Sequence, residues 1–283
     1  MLAKAQEKHE GVIKFHLDFR EGPSPQKTLL RELNNWRSKL RELGLIGQDP
    51  ERYEGYGFGN LSRRLPGQKE NAFLISGTQT GHLDELHADH YATVLQCRPA
   101  KNQLQATGQI KPSSEALSHG ILYQSHPGIH WVMHLHSPDI FNNYRTLNLP
   151  CTDPSAAYGT PEMASAIEAL AKEREDSHPS LLVMGGHQDG ILAYGSDAEA
   201  TGELVIRTLN RKRTLTRSAN PSGAVIKSRL ACWRYRRVNY PVTLLLQAYP
   251  QTAIFACRAQ PAPVKPFSLM PRRQVQPLFR SSS

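Results

Sequence analysis

The sequence predicts an α/β domain. Short strand-like apolar runs (residues 11–19, 73–75, 131–136, 181–184 and 191–194) alternate with segments of helical character (residues 27–44, 111–125, 161–175 and 198–209). Hydrophobic residues make up 39% of the 283 and charged residues 21%, which suits a globular chain. No run of about 18 apolar residues occurs, so no membrane span is expected. The first residues lack an apolar signal core, and the four cysteines show no paired spacing, so a reduced, cytoplasmic protein is expected.

Residues 1–26 read as a loose N-terminal arm, with Gly11 to Phe19 alternating well enough for an edge strand. From Lys27, the residues Leu29, Leu30, Leu33, Trp36, Leu40 and Leu43 recur at helical spacing, and Gly44 supplies a stop. This helix reads as core scaffolding. Tyr56 to Arg64 (YGFGNLSRR) carries two glycines that expose backbone N–H groups. Phe73 to Ile75 is a short strand running into SGTQTG (76–81), a small-residue loop that is either a plain turn or an anion cradle. His87, Asp89 and His90 read as a solvated helix start.

KPSSE (111–115) opens a helix that runs to about Ser125, with Ser113 or Ser114 as its cap. Glu115 suits the positive end of that helix as a capping carboxylate. It also shares a face with His119 four residues on, a spacing open to a salt-bridge pair or to metal work. The stretch WVMHLHSP (131–138) reads as a buried strand ending in a turn. Alternation puts Val132, His134 and His136 on one face and Trp131, Met133 and Leu135 on the other. Two imidazoles about 6.5–7 Å apart along a strand can converge on one ion, or be two ordinary polar residues at a strand end. Pro161 to Glu175 is a good helix. The apolar strand LLVM (181–184) then ends in GGHQDG (185–190), which places His187 just after a buried strand, as His136 is. Ser196-Asp197 caps a last helix over Ala198 to about Leu209.

The charge distribution breaks near residue 204. All 25 acidic residues lie at or before Glu203, against 19 basic ones there, while the last 80 residues carry 15 basic and no acidic residues. The organisation expected is therefore an arm (1–26), a domain (27–209) and a basic tail (210–283). The tail reads as an altered reading frame or a fused foreign segment, its rival being a genuine basic arm. It contains no recognisable nucleic-acid module, so nucleic acid is not the expected partner.

In chain order the motifs are GNLS (59–62), SGTQTG (76–81), PSSE (112–115), HLHSP (134–138) and GHQDG (186–190). This order resembles the class II aldolase/adducin family over roughly residues 27–209. The resemblance implies a three-layer α/β/α sandwich with a central, mainly antiparallel sheet, assembled as a homotetramer. It implies Zn2+ or another divalent ion on His134, His136 and His187, with Glu115 as the acid/base. It implies that Asn60, Ser76, Gly77, Ser113 and Ser114 line the pocket for a substrate phosphate. The reaction expected is an aldol cleavage, epimerisation or dehydration of a sugar phosphate or related hydroxy-carbonyl through a metal-stabilised enediolate. The alternative is a non-catalytic adducin-like scaffold, against which the full set of three His and Glu115 counts. Two departures stand out. Family members commonly have His followed by Gly at the third ligand, where this chain has His187-Gln188-Asp189-Gly190. The tyrosine acid of some aldolases falls at Ser155, with Tyr158 three residues later, and the acid others take from a C-terminal segment falls in the basic tail.

Overall fold

The computed structural model describes residues 11–67, 71–173 and 178–218. The tail's reading as foreign or basic arm therefore falls outside the described residues beyond Ser218.

The strands are β1 (His16–Glu21), β2 (Gly47–Gln48), β3 (Gly57–Phe58), β4 (Asn60–Arg64), β5 (Phe73–Ser76), β6 (Tyr91–Arg98), β7 (Gln103–Gly108), β8 (Trp131–His136), β9 (Ser180–Val183) and β10 (Gly190–Gly195). The helices are α1 (Arg31–Glu42), α2 (Ala116–Ser125), α3 (Pro138–Phe141), α4 (Tyr144–Leu147), α5 (Pro161–Lys172) and α6 (Ala198–Ser218). Eight strands form one sheet in the order β1-β7-β6-β5-β4-β8-β10-β9, and β2 pairs with β3 apart from it. Only the β1–β7 pair is parallel among the described strands of that sheet.

Two apolar clusters cover the two faces, which makes the α/β/α sandwich. One joins Val132, Leu182 and Leu192 to Leu117 and Leu122 of α2 and to Met163 and Ile167 of α5. The other joins Trp131, Met133 and Leu135 to Leu33, Trp36 and Leu40 of α1 and to Val205 and Leu209 of α6. The two faces of β8 thus separate as its alternation requires, and all six of its residues are buried.

Three boundaries differ from the sequence reading. β1 is the edge strand expected within the N-terminal arm, shifted from Gly11–Phe19 to His16–Glu21, and it pairs with Gln103 to Gly108, far along the chain. α6 does not stop near Leu209 but continues to Ser218, and Lys212 Nζ lies 2.5 Å from Asp139 Oδ1. The RKR run is itself a good helix former, and cations favour a helix C-terminus. The helix opening at KPSSE begins only at Ala116, with Glu115 at its N-cap position and no side-chain cap bond.

α1 does more than fill the core. Arg37, buried, donates to the carbonyls of Thr80 (3.0 Å), Leu83 (2.7 Å) and Asp84 (3.0 Å), and Asn34 Nδ2 donates to Leu86 O (2.7 Å). These bonds hold the far side of the 76–81 loop. Arg37→Ala strands three carbonyls at once, and the expected loss is about 2–4 kcal/mol of unfolding free energy in a urea titration.

Candidate functional site

β8 lies between β4 and β10, with Asn60 and Leu192 opposite His134 and Gly190 opposite His136. His134 and His136 project together from the strand end, and their Nε2 atoms are 3.1 Å apart. His187 comes from the loop after β9. That loop is tight: His187 N donates to Met184 O and Gly190 N to His187 O, both at 2.9 Å. A Cβ at Gly186 would stand 1.8 Å from Ala156 O, so only glycine lets this loop lie against the 152–156 segment.

The three imidazoles meet in the interior. Their ring centroids are 5.0, 4.9 and 4.8 Å apart, and one ligand atom from each lies within 4.8 Å of the others. All three are buried. Burial first, then the neighbouring His187 and His136, pushes the His134 pKa well down, so its ring is neutral and a lone pair is available. A tetrahedral zinc with 2.0–2.1 Å bonds needs nitrogens about 3.3 Å apart. The His134–His136 pair has about that spacing, and the His187 ligand atom lies within 4.8 Å of both. Three imidazole nitrogens and one nearby carboxylate are also a suitable donor set for a divalent ion.

Glu115 is fully buried, and its Oε1 lies 3.9 Å from His187 Nδ1. Ser118 Oγ donates to its Oε2 at 2.8 Å. Its side chain therefore faces the imidazole cluster rather than capping the helix. His119, one turn on, turns elsewhere: its Nδ1 is 2.7 Å from Ser62 Oγ, which is in turn 2.7 Å from Tyr123 Oη. Burial lowers the His119 pKa to about 3. Glu115 and His119 thus form no salt-bridge pair.

Asn60, Gly77, Ser113 and Ser114 line one small polar cavity of about 20 Å³, together with the 78–81 loop. Ser76 is buried outside that lining, and its Oγ accepts from Leu61 N (3.3 Å), which ties β5 to β4. Gln79, at φ +57°, folds its side chain over the cavity and accepts from Gly57 N at 3.2 Å. A second cavity of about 720 Å³ opens on His187, Tyr158, Ser155 and Lys14. His87 and Asp89 are exposed and begin a short 3-10 turn over Ala88–His90, away from both cavities.

Sequence reasoning passed over Tyr53. Its ring packs edge-on to His136 (4.6 Å between centroids), and its hydroxyl donates to Asp189 Oδ2 at 2.8 Å. Its φ of +50° in a non-glycine residue leaves no mark in the sequence. The same contact explains the departure at the third ligand. Asp189 turns the chain at φ +59°, accepts from Ser137 N (2.8 Å) and anchors Tyr53, so the longer loop ties the ends of β8 and β10 together. Tyr158 stacks on His187 with centroids 4.5 Å apart.

The sequence model described as class II aldolase and adducin N-terminal domain matches residues 50–208. No curated protein matches the chain. Among solved structures, an L-fuculose-1-phosphate aldolase from Thermus thermophilus is similar with a TM-score of 0.51 and 18% identity, covering 71% of this chain and 100% of that one. A sugar-phosphate aldolase from Thermotoga maritima is similar with a TM-score of 0.51 and 13% identity, covering 70% and 97%. At these identities the likeness is one of fold.

Proposed function

We propose, because the chain belongs to the class II aldolase and adducin family, that it is a divalent-metal-dependent lyase or isomerase acting on a sugar phosphate or related hydroxy-carbonyl. The observation that carries this reading is the meeting of three buried imidazoles with a buried carboxylate 3.9 Å from one of them. We assign His134, His136 and His187 as ligands, with zinc as the ion. Bound there, such an ion supplies Lewis-acid stabilisation for negative charge developing on a substrate oxygen. Glu115 takes and returns the substrate proton at its Oε1, while Ser118 holds the other oxygen and fixes the carboxylate's direction. The neutral side chains of Asn60, Ser113 and Ser114 are assigned to substrate binding beside the Gly77 backbone, while Ser76 ties β5 to β4 behind them. They orient the reacting carbon and cost no charge desolvation. Burial of the cluster keeps water from the carbanion-like charge. We extend the reading to a cytoplasmic homotetramer, which sedimentation of the purified protein checks.

The test is metal analysis of purified protein joined to a screen of ketose and aldose phosphates for cleavage, epimerisation and water loss. Stoichiometric divalent metal with turnover of one such compound is expected. A protein that binds no divalent metal and turns over none of them would falsify this reading and return the chain to the scaffold alternative.

A further inference from the structure

The three imidazoles are not held equally by the sheet. His134 lies inside the ladder on both sides, opposite Asn60 of β4 and Leu192 of β10. The pairing with β4 ends there, so His136 has a strand partner, Gly190, on one side only. On the other side its N–H donates to Leu45 O at 2.9 Å. His187 is carried by the turn after β9. The places of His136 and His187 therefore depend on what holds two loops together.

A closed circuit of hydrogen bonds does so. Arg52 Nη1 donates to Gly44 O (3.2 Å), next to Leu45, and Arg52 Nη2 donates to Tyr53 Oη (2.9 Å). The Tyr53 hydroxyl donates to Asp189 Oδ2 (2.8 Å), and Asp189 O accepts from Ser137 N (2.8 Å), next to His136. His187 hangs on the same circuit, two residues before Asp189, with its O accepting from Gly190 N. The segment that delivers the hydroxyl is shaped for the task. Tyr53 and Glu54 both take positive φ, 50° and 57°, a conformation unfavourable outside glycine that the surrounding contacts must enforce. Gln48 Nε2 holds Gly55 O at 2.7 Å, and the Arg52 guanidinium lies 4.4 Å from the centre of the Phe58 ring. The rings of Tyr53 and Phe58 pack on the His136 imidazole, with centroids 4.6 and 5.4 Å away.

We infer that Tyr53 is a positioning residue for the metal centre: its hydroxyl, acting through Asp189, fixes the His136 and His187 loops against each other and so sets the affinity for the divalent ion. The inference rests on the metal-dependent reading above and adds a residue outside the ligand set that governs how tightly the ion is held. Ligands already in place need not be ordered by the ion when it binds, and that ordering otherwise subtracts from affinity. Loss of the hydroxyl frees Asp189 from the 52–53 segment, and the His187 side of the site then lets the ion go sooner.

The experiment measures zinc dissociation constants on the full-length protein by competition with a chromophoric chelator. The absorption spectrum of the cobalt-loaded protein and the melting temperature of the metal-free protein are recorded beside them. Tyr53→Phe keeps the ring on His136 and removes only the hydroxyl. It is expected to weaken zinc binding about 10-fold, the low end for a group that orients ligands from behind, with faster zinc release and altered cobalt bands. Asp189→Gly keeps the left-handed turn and removes the acceptor, and is expected to weaken zinc binding by the same factor. The double variant should be no weaker than either single one, because one bond is lost in all three. Asp189→Asn retains an acceptor oxygen and tolerates the turn, and should keep most of the affinity. Equal zinc affinity in Tyr53→Phe and the unaltered protein overturns the inference, even where the metal-free melting temperature falls, since the hydroxyl then serves the fold alone. Losses that add in the double variant overturn it too, because Tyr53 would not be acting through Asp189. No divalent metal on the unaltered protein defeats the metal reading itself, and this inference with it.

Discussion

Glu115→Gln is expected to keep any metal the native protein binds and to lose turnover by about 10²–10⁴-fold, the usual worth of a positioned general acid/base. The substitution is close to isosteric. A glutamine oxygen can still accept from Ser118 Oγ, which reaches Glu115 Oε2 at 2.8 Å in the native protein. What disappears is basicity at the atom 3.9 Å from His187. The fall should appear in kcat and in kcat/KM together, because proton transfer belongs to the transition state and not to substrate binding. Single-turnover kinetics beside metal analysis separate this result from metal loss. Unchanged turnover would leave Glu115 as a structural carboxylate at the start of α2.

That prediction begins from residues legible in the sequence, and the reasons for that legibility are physical. β8 could be read because its period of two survives burial on both faces: Val132 packs against α2 and Met133 against α1. α1 and α5 could be read because their apolar residues keep the helical period. Pairings that depend on distant chain could not be read. Nothing near His16 announces that β1 will lie parallel to β7, some ninety positions away. The continuation of α6 to Ser218 was hidden by charge, since RKR looked like a change of composition while its backbone preference was helical all along. At the site, the imidazoles and Glu115 were visible as residue types in spaced motifs. Tyr53 was not, because its place beside His136 depends on a left-handed backbone turn at Tyr53 and Glu54 that no motif encodes. Ser76 shows the opposite limit. Its motif marked it as pocket lining, but its hydroxyl bonds the backbone of β4.

Removing one imidazole should abolish the coupling between metal and stability. Zinc that binds the native chain but not the unfolded one stabilises it by about 2.7 kcal/mol at one hundred times its dissociation constant. For a domain of this size that raises the melting temperature by roughly 5–10 °C. His187→Ala is the sharpest variant, because His187 comes from a loop while His134 and His136 come from one strand. The two strand imidazoles, with Nε2 atoms 3.1 Å apart, keep their places when the loop ring is gone, so any surviving metal affinity measures the pair alone. Zinc content after dialysis should fall from stoichiometric to a small fraction, the zinc-dependent shift in melting temperature should vanish, and turnover should drop below detection. His187→Ala also empties the space against Tyr158, which stacks on that ring, so its own melting temperature without zinc is the baseline for comparison. If the unaltered protein melts at one temperature with zinc, cobalt, manganese or chelator, the imidazole cluster holds no metal and the assignment of all three ligands is wrong.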